Sequence, residues 1–270
     1  MSAVPSVVPG PPAIPEQIVH QPAGPHGRQR IITGTISAYK WLLMKHSSAA
    51  RFLHTPDGRY GPPDCEALTL LVLGDSLALS IGVRKPEETF GSLLAQSVTD
   101  ATGLPVDLRV LAKAGATTNS MQHQVTGSTR YRPGIAVVII GSNDTLLPAP
   151  IGRCTRYFGH AVSQLRDAGW EVVVMPCADP GAAPGFRIVV RWLASPRARR
   201  LARRQRCIAQ RFGALIAPSS IDDFRTRATE LLSHDGVQPS PQGYAEHTGR
   251  VLPILLEAAA RLGPLSDSLD

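Results

Sequence analysis

The sequence predicts an α/β fold, a three-layer sandwich with a parallel sheet between two layers of helices. Three observations predict it. Short apolar runs recur along the chain, each bounded by turn residues, as expected of strands buried on both faces. Segments with apolar residues at helical spacing lie between them. The alternation persists from about residue 68 to residue 262, the pattern of successive βαβ units.

Five strands are read, at Leu68–Leu73, Val106–Leu111, Ile135–Ile140, Val172–Met175 and a weaker Ala214–Ala217. Helices are read at about 88–101, 119–126, 153–168, 191–212 and 243–262, with Pro196 expected to kink or restart the fourth. No internal repeat is evident. The α/β domain is assigned to residues 67–264, with a short tail over 265–270. Residues 1–27 carry Pro5, Pro9, Pro11, Pro12, Pro15, Pro22 and Pro25 and little charge, which predicts a disordered tail. Residues 28–66 are read as an amphipathic helix and a linker. Ile32, Ile36, Tyr39, Leu43, Ala50 and Leu53 form its stripe, and Lys40, Lys45 and Arg51 lie off it. Such a helix docks on its own domain or lies on an anionic membrane. Pro56, Gly58, Gly61, Pro62 and Pro63 mark the linker.

A hydrophobic content of 43% suits a globular protein with a core. The net charge of +7 suits an anionic partner, or reflects a genome that writes arginine freely. Cys65, Cys154, Cys177 and Cys207 form no CxxC pair, so neither zinc nor a redox motif is expected. No apolar run reaches the ~18 residues of a membrane span, and no basic start precedes an apolar stretch at the N-terminus. The expectation is a cytoplasmic protein, with peripheral membrane association as the alternative, and no cofactor or metal.

In such folds ligands bind beyond the carboxyl ends of the strands. After the first strand stands Gly74-Asp75-Ser76-Leu77. A serine there exposes its hydroxyl near free N–H groups, or it merely caps a helix. After the second stands a loop with Gly115, and after the third Gly141-Ser142-Asn143-Asp144. The N–H groups of Ser76 and Gly115 and the Asn143 amide can together cradle an oxyanion. Alternatively, Gly115 serves only a turn and Asn143 only its own loop. Near the end, Ser233-His234-Asp235-Gly236-Val237-Gln238-Pro239-Ser240 precedes the last helix. Asp235 can orient a base, or it belongs to an ordinary Asp-Gly turn.

In this order and spacing the four segments resemble the SGNH hydrolases, the GDSL esterases and lipases, from about residue 68 to residue 262. Pro86-Glu87-Glu88-Thr89 and the final Pro239-Ser240-Pro241-Gln242-Gly243-Tyr244 look like actinobacterial-type members. The resemblance implies a flavodoxin-like five-stranded parallel sheet of order 2-1-3-4-5. It implies hydrolysis of acyl esters, small-molecule or lipid, without a metal. It makes Ser76 the nucleophile, Ser76, Gly115 and Asn143 the oxyanion hole, and Asp235 the residue that orients the histidine.

The histidine is absent from its place. Asp235-Gly236-Val237 is followed by Gln238 where Asp-x-x-His requires histidine. An amide can hydrogen-bond to Ser76 but cannot take its proton near neutral pH. Loss of such a base leaves only ~10³–10⁴-fold catalysis over water. His234 is a candidate substitute base; His247 stands too far along the last helix, and His123 and His160 are expected on the surface. The expectation is therefore an impaired ester hydrolase. The alternatives are an inactive acyl- or carbohydrate-binding relative and an acyltransferase.

Residues 187–211 hold nine arginines and no acid. Trp192, Leu193, Leu201 and Ile208 are read as a buried stripe. The arginines suit an anionic membrane surface or an acidic carrier, or form a solvated face. No aromatic platform or known motif supports nucleic-acid binding.

Overall fold

The protein is described here by a computed structural model covering residues 56–63, 65–218 and 221–263. The tail over 1–27, the amphipathic helix over 30–53 and the tail over 265–270 lie outside the described residues. The sheet has six strands: β1 (Gly58–Tyr60), β2 (Leu68–Gly74), β3 (Val106–Val110), β4 (Ile135–Ile139), β5 (Glu171–Met175) and β6 (Leu215–Ile216). Their order is β1-β3-β2-β4-β5-β6. The five strands β2 to β6 are parallel and stand in the expected order.

The first strand corrects the sequence reading. Gly58–Tyr60 lies in the segment read as linker, yet it pairs antiparallel with β3, Arg59 opposite Asp107. Asp57 Oδ1 accepts the Val110 N–H at 2.9 Å, and Arg59 Nε lies 3.5 Å from Asp107 Oδ1. A three-residue strand with a glycine and a charge has no apolar run to betray it. Its partner strand creates it.

Side-chain alternation sorts the strands onto two cores. Leu70, Val72, Leu108, Val137 and Val173 face one side, against α1 (Phe90–Thr102) and the last helix, Pro241–Leu262. Leu71, Leu73, Val138, Val172 and Val174 face the other. There they meet Met121, Phe158, Val162, Leu165 and Trp170. The helices of that layer are α2 (Gln122–Ser128), α4 (Ile151–Asp167) and α5 (Ile188–Arg211). The short α3 (Ser142–Leu146) follows β4, and α6 (Ile221–Thr226) and α7 (Ala228–Leu231) precede the last helix, α8. Apolar burial on both faces makes the sheet the middle of three layers.

Two buried glutamines fix the carboxyl edge of the sheet. Gln124 of α2 accepts the Gly74 N–H at 2.8 Å and donates to the Gly74 carbonyl at 2.9 Å. Gln205 of α5 accepts the Cys177 N–H at 2.7 Å and donates to the Ile140 carbonyl at 2.9 Å. Each side-chain amide acts as one more peptide unit beyond the strands, so the main chain entering the site loops keeps its partners.

Helix α5 differs from its reading in two ways. It runs on through Pro196 as one helix, so the proline does not restart it. Its apolar residues form no continuous buried stripe: Leu201 is buried and Ile208 packs on the core, but Trp192 is 76% and Leu193 55% exposed. The buried residues of the helix begin at Ala194, so its first turns leave apolar side chains exposed. No described helix is long and apolar enough to cross a membrane. None of the cysteines is paired.

Candidate active site

The loops after β2, β3 and β4 leave the same edge of the sheet, because these strands are parallel and in register. Gly74 ends β2 with φ +146°. A Cβ at this position would overlap the Ile139 carbonyl oxygen on the adjacent strand, so the chain turns at a point where only glycine fits. Residues 75–80 then form a run of turns rather than a helix. The Asp75 carboxylate is buried and accepts the Leu77 N–H at 3.0 Å. Ser76 is half-buried at the head of this turn. It caps no helix, since the first α-helix after it begins at Phe90 and is capped by Thr89.

The loop after β3 turns at Gly115, φ +77°, and is tied to the loop after β4. Asp144, buried, accepts the Thr118 N–H at 3.0 Å and the Thr118 hydroxyl at 2.8 Å. Its burial raises its pKa above the ordinary carboxylate value. Asn143 is buried, and its amide donates to the Ala116 carbonyl at 2.8 Å and to Asp75 Oδ2 at 3.4 Å. The asparagine therefore joins all three loops. Its longer contact, to Asp75, is the weaker.

The fourth segment comes from the other end of the chain. Ser240 caps α8, accepting the Gly243 N–H at 3.1 Å, with Pro241 in the first turn. Ahead of it the chain closes on itself. Leu232 and Pro239 form an antiparallel bridge, and Ser233 N–H donates to the Gln238 carbonyl at 2.7 Å. Asp235 Oδ1 accepts from the Ser233 hydroxyl, Val237 N–H and Gln238 N–H at 2.8, 2.8 and 2.9 Å. This turn brings Gln238 to Ser76, where Gln238 Nε2 donates to Ser76 Oγ at 3.3 Å. Gln238 Oε1 is buried without a hydrogen-bond partner among the described residues.

Ser76, Gln238 and Asp235 thus form one short network, and Asn143, Asp75 and Ala116 form another, with Gly115 in the loop beside Asn143. His234 is exposed on the outside of the turn. His123 and His160 are also exposed, and His160 pairs with Gln122 at 3.0 Å. His247 lies against Phe90 and Phe224, with ring centroids 5.5 and 6.4 Å apart. Burial, with Arg250 nearby, lowers its pKa to about 4. Burial pushes the Cys154 thiol up to about 11, and Cys177 well above its ordinary value, so neither is a thiolate nucleophile near neutral pH.

The sequence reading missed the Asp75 carboxylate as the joint between two loops, although it stands inside the Gly-Asp-Ser-Leu block. It also missed an apolar cavity of about 120 Å³ beside Ser76's turn, lined by Leu77, Phe90, Met175, Val237, Tyr244 and His247 among others. Those residues come from five separate stretches of chain, and only folding assembles them.

The family model for GDSL-like lipases and acylhydrolases matches residues 72–246, the span that carries all four loops. The chain belongs to this family. Among curated proteins it is similar to a GDSL-like esterase, Rv1075c, of Mycobacterium tuberculosis, with 32% identity over 181 residues. That alignment covers 65% of this chain and 58% of the relative, so the chain spans little more than half of that protein's length. Among solved structures it resembles TesA, with TM-score 0.59, 18% identity, and coverage of 70% of this chain and 99% of that one. It also resembles the psychrotrophic esterase EstA from Pseudoalteromonas sp., inhibited by monoethylphosphonate, with TM-score 0.53, 18% identity, and coverage of 72% and 97%. At such identities the structural likeness establishes the fold, which is the three-layer α/β sandwich expected from the sequence.

Proposed function

We propose that this GDSL-family chain is a serine ester hydrolase acting on small-molecule or lipid acyl esters through Ser76, with turnover held down by Gln238. In this reading Ser76 Oγ attacks the acyl carbonyl. The N–H groups of Ser76 and Gly115 receive the developing oxyanion, joined by the Asn143 amide as it gives up its weak 3.4 Å contact to Asp75. The apolar cavity beside the turn takes the acyl chain.

The observation that carries the reading is the contact between Gln238 Nε2 and Ser76 Oγ at 3.3 Å. It supports Ser76 as the reacting group, because the last loop is built to deliver one side chain to that hydroxyl. It equally supports impairment. Whichever end of the amide faces the hydroxyl, neither has a basic lone pair at neutral pH. Asp235 has a different task in this reading: it holds the turn, through three hydrogen bonds to one oxygen. The exposed arginines of α5 add a complementary face for an anionic membrane surface or an acidic carrier.

The same contact favours a second reading, a non-catalytic relative that binds an acyl or carbohydrate ligand in the inherited crevice. Labelling by a fluorophosphonate, with p-nitrophenyl ester hydrolysis, separates the two. The hydrolase reading expects slow labelling at Ser76 and slow turnover that Ser76→Ala abolishes. Absence of both across acyl lengths, with ligand binding retained, establishes the second reading instead.

A further inference from the structure

We propose that the first two turns of α5 are a docking edge that seats the protein on an anionic phospholipid surface. The inference deepens the reading of α5 as a face for an anionic partner. It stands whether or not Ser76 turns over.

Ile188, Val189, Trp192 and Leu193 are 72%, 63%, 76% and 55% exposed. They fall at positions i, i+1, i+4 and i+5 of one helix, so they form a single contiguous patch. An exposed apolar patch with polar surroundings marks an interaction surface. The groove beside the patch is lined by Ile188, Val189 and Trp192 together with Arg191, Arg199 and Arg225. Apolar side chains at the tip of a helix flanked by arginines suit the boundary between lipid headgroups and acyl chains.

The charge pattern selects the occupant. Residues 187–211 carry nine arginines and no acid. Arg197 is spent inside the fold, donating to the Thr145, Leu147 and Ala149 carbonyls at 3.0, 2.9 and 2.7 Å. Arg187, Arg199, Arg200, Arg203 and Arg211 remain exposed. Asp179, which is buried, lies 3.7 Å from both Arg199 and Arg225, and among the described residues the exposed arginines outnumber it and leave the face positive. A second copy of the chain would set one arginine-rich face against another. The chain's own segment 17–56 is also a poor cover, because it carries Arg28, Arg30, Lys40, Lys45 and Arg51 and no acid. An anionic bilayer satisfies both the apolar patch and the positive rim.

The edge lies beside the site. Asp179 lines the apolar cavity, and its partners Arg199 and Arg225 line the outer groove. A bilayer docked here would face the rim of that cavity.

Flotation of the full chain with vesicles tests the proposal, using phosphatidylcholine alone and phosphatidylcholine mixed with phosphatidylglycerol. We expect binding at least about tenfold tighter to the anionic vesicles, weakened by salt. The double variant Trp192→Glu/Leu193→Glu should lose about tenfold or more of that binding, with an unchanged thermal midpoint because both side chains are exposed. Bromolipid quenching supplies the second readout. The wild type should be quenched on docking, and Trp192→Phe, which keeps Trp41 and Trp170, should bind but lose most of the quenching. Equal binding to both vesicles, full binding by the double variant, or quenching unaltered in Trp192→Phe would overturn the proposal. So would a solution dimer that Trp192→Glu dissociates in a protein that does not float.

Discussion

Gln238→His should create or raise ester hydrolysis by ~10²–10⁴-fold, the contribution of a positioned general base. The turn that presents residue 238 depends on main-chain groups. Its carbonyl accepts the Ser233 N–H at 2.7 Å and its N–H donates to Asp235 Oδ1 at 2.9 Å. Neither bond uses the glutamine side chain. The Nε2 of histidine stands the same number of bonds from Cα as the Nε2 of glutamine, so the imidazole starts from the observed 3.3 Å to Ser76 Oγ. A shift of ~0.5 Å brings it to the distance of a good hydrogen bond, and Asp235 remains beside it. The expected rate gain corresponds to ~3–5 kcal/mol of barrier. Initial rates on p-nitrophenyl acetate and butyrate, for wild type, Gln238→His, Ser76→Ala and the Ser76→Ala/Gln238→His pair, measure it directly. The gain should vanish in the pair, and the pH profile should acquire a limb near the ordinary imidazole value, about 6.5. A wild type as fast as Gln238→His refutes the reasoning, because another group must then already serve as base. A folded Gln238→His no faster than Ser76→Ala refutes it from the other side.

Three further outcomes follow from the scaffold. Gln205→Ala strands the Ile140 carbonyl and the Cys177 N–H, which Gln205 now satisfies at 2.9 and 2.7 Å in full burial; urea unfolding should show a loss of about 2–4 kcal/mol. Gly74→Ala forces a Cβ onto the Ile139 carbonyl at φ +146° and should cost about 3 kcal/mol or more, so a variant within ~0.5 kcal/mol of wild type contradicts the close approach. His247 is held to about 4 against 6.5 for a free imidazole, so between these values the unfolded chain binds the extra proton and the native state does not. Stability should therefore be intact above about pH 6.5 and fall as pH drops toward 4, by up to about 3 kcal/mol. Thermal melts of His247→Gln should lack that part of the acid slope, and an identical slope would show that the ring is not the group responsible.

The strands were legible because parallel strands buried on both faces must be nearly all apolar, and Leu68–Gly74 and Ile135–Ile139 are. The loops at the carboxyl edge were legible because each follows an apolar strand as a short block of glycine and polar residues. What escaped the sequence was whatever one element does only in contact with another. Gly58–Tyr60 is a strand because β3 offers it an edge. Gln124 and Gln205 look like ordinary helix residues until their amides meet strand ends. Trp192 and Leu193 fit a helical stripe with Leu201, yet they stay exposed and outside the core clusters, and only the folded layers reveal that.

Stability and chemistry are separable at Gln238. In a serine, histidine and aspartate arrangement the aspartate is usually discussed for what it does to the imidazole. Here Asp235 Oδ1 takes three hydrogen bonds, two from main-chain N–H groups and one from Ser233, and that set holds the turn whatever side chain follows. The side chain at position 238 therefore takes no part in holding the loop, and its amide is left to reach Ser76. The cost appears elsewhere: Gln238 Oε1 is buried with no partner among the described residues, a penalty of about 1–3 kcal/mol in an apolar setting. A group left in that condition is one that a bound ligand's hydroxyl or amide could satisfy. Replacing Gln238 by Leu should therefore leave stability unchanged or slightly raised while weakening capture of a polar ligand, whereas loss of stability of more than ~1 kcal/mol would mean that the amide supports the fold after all.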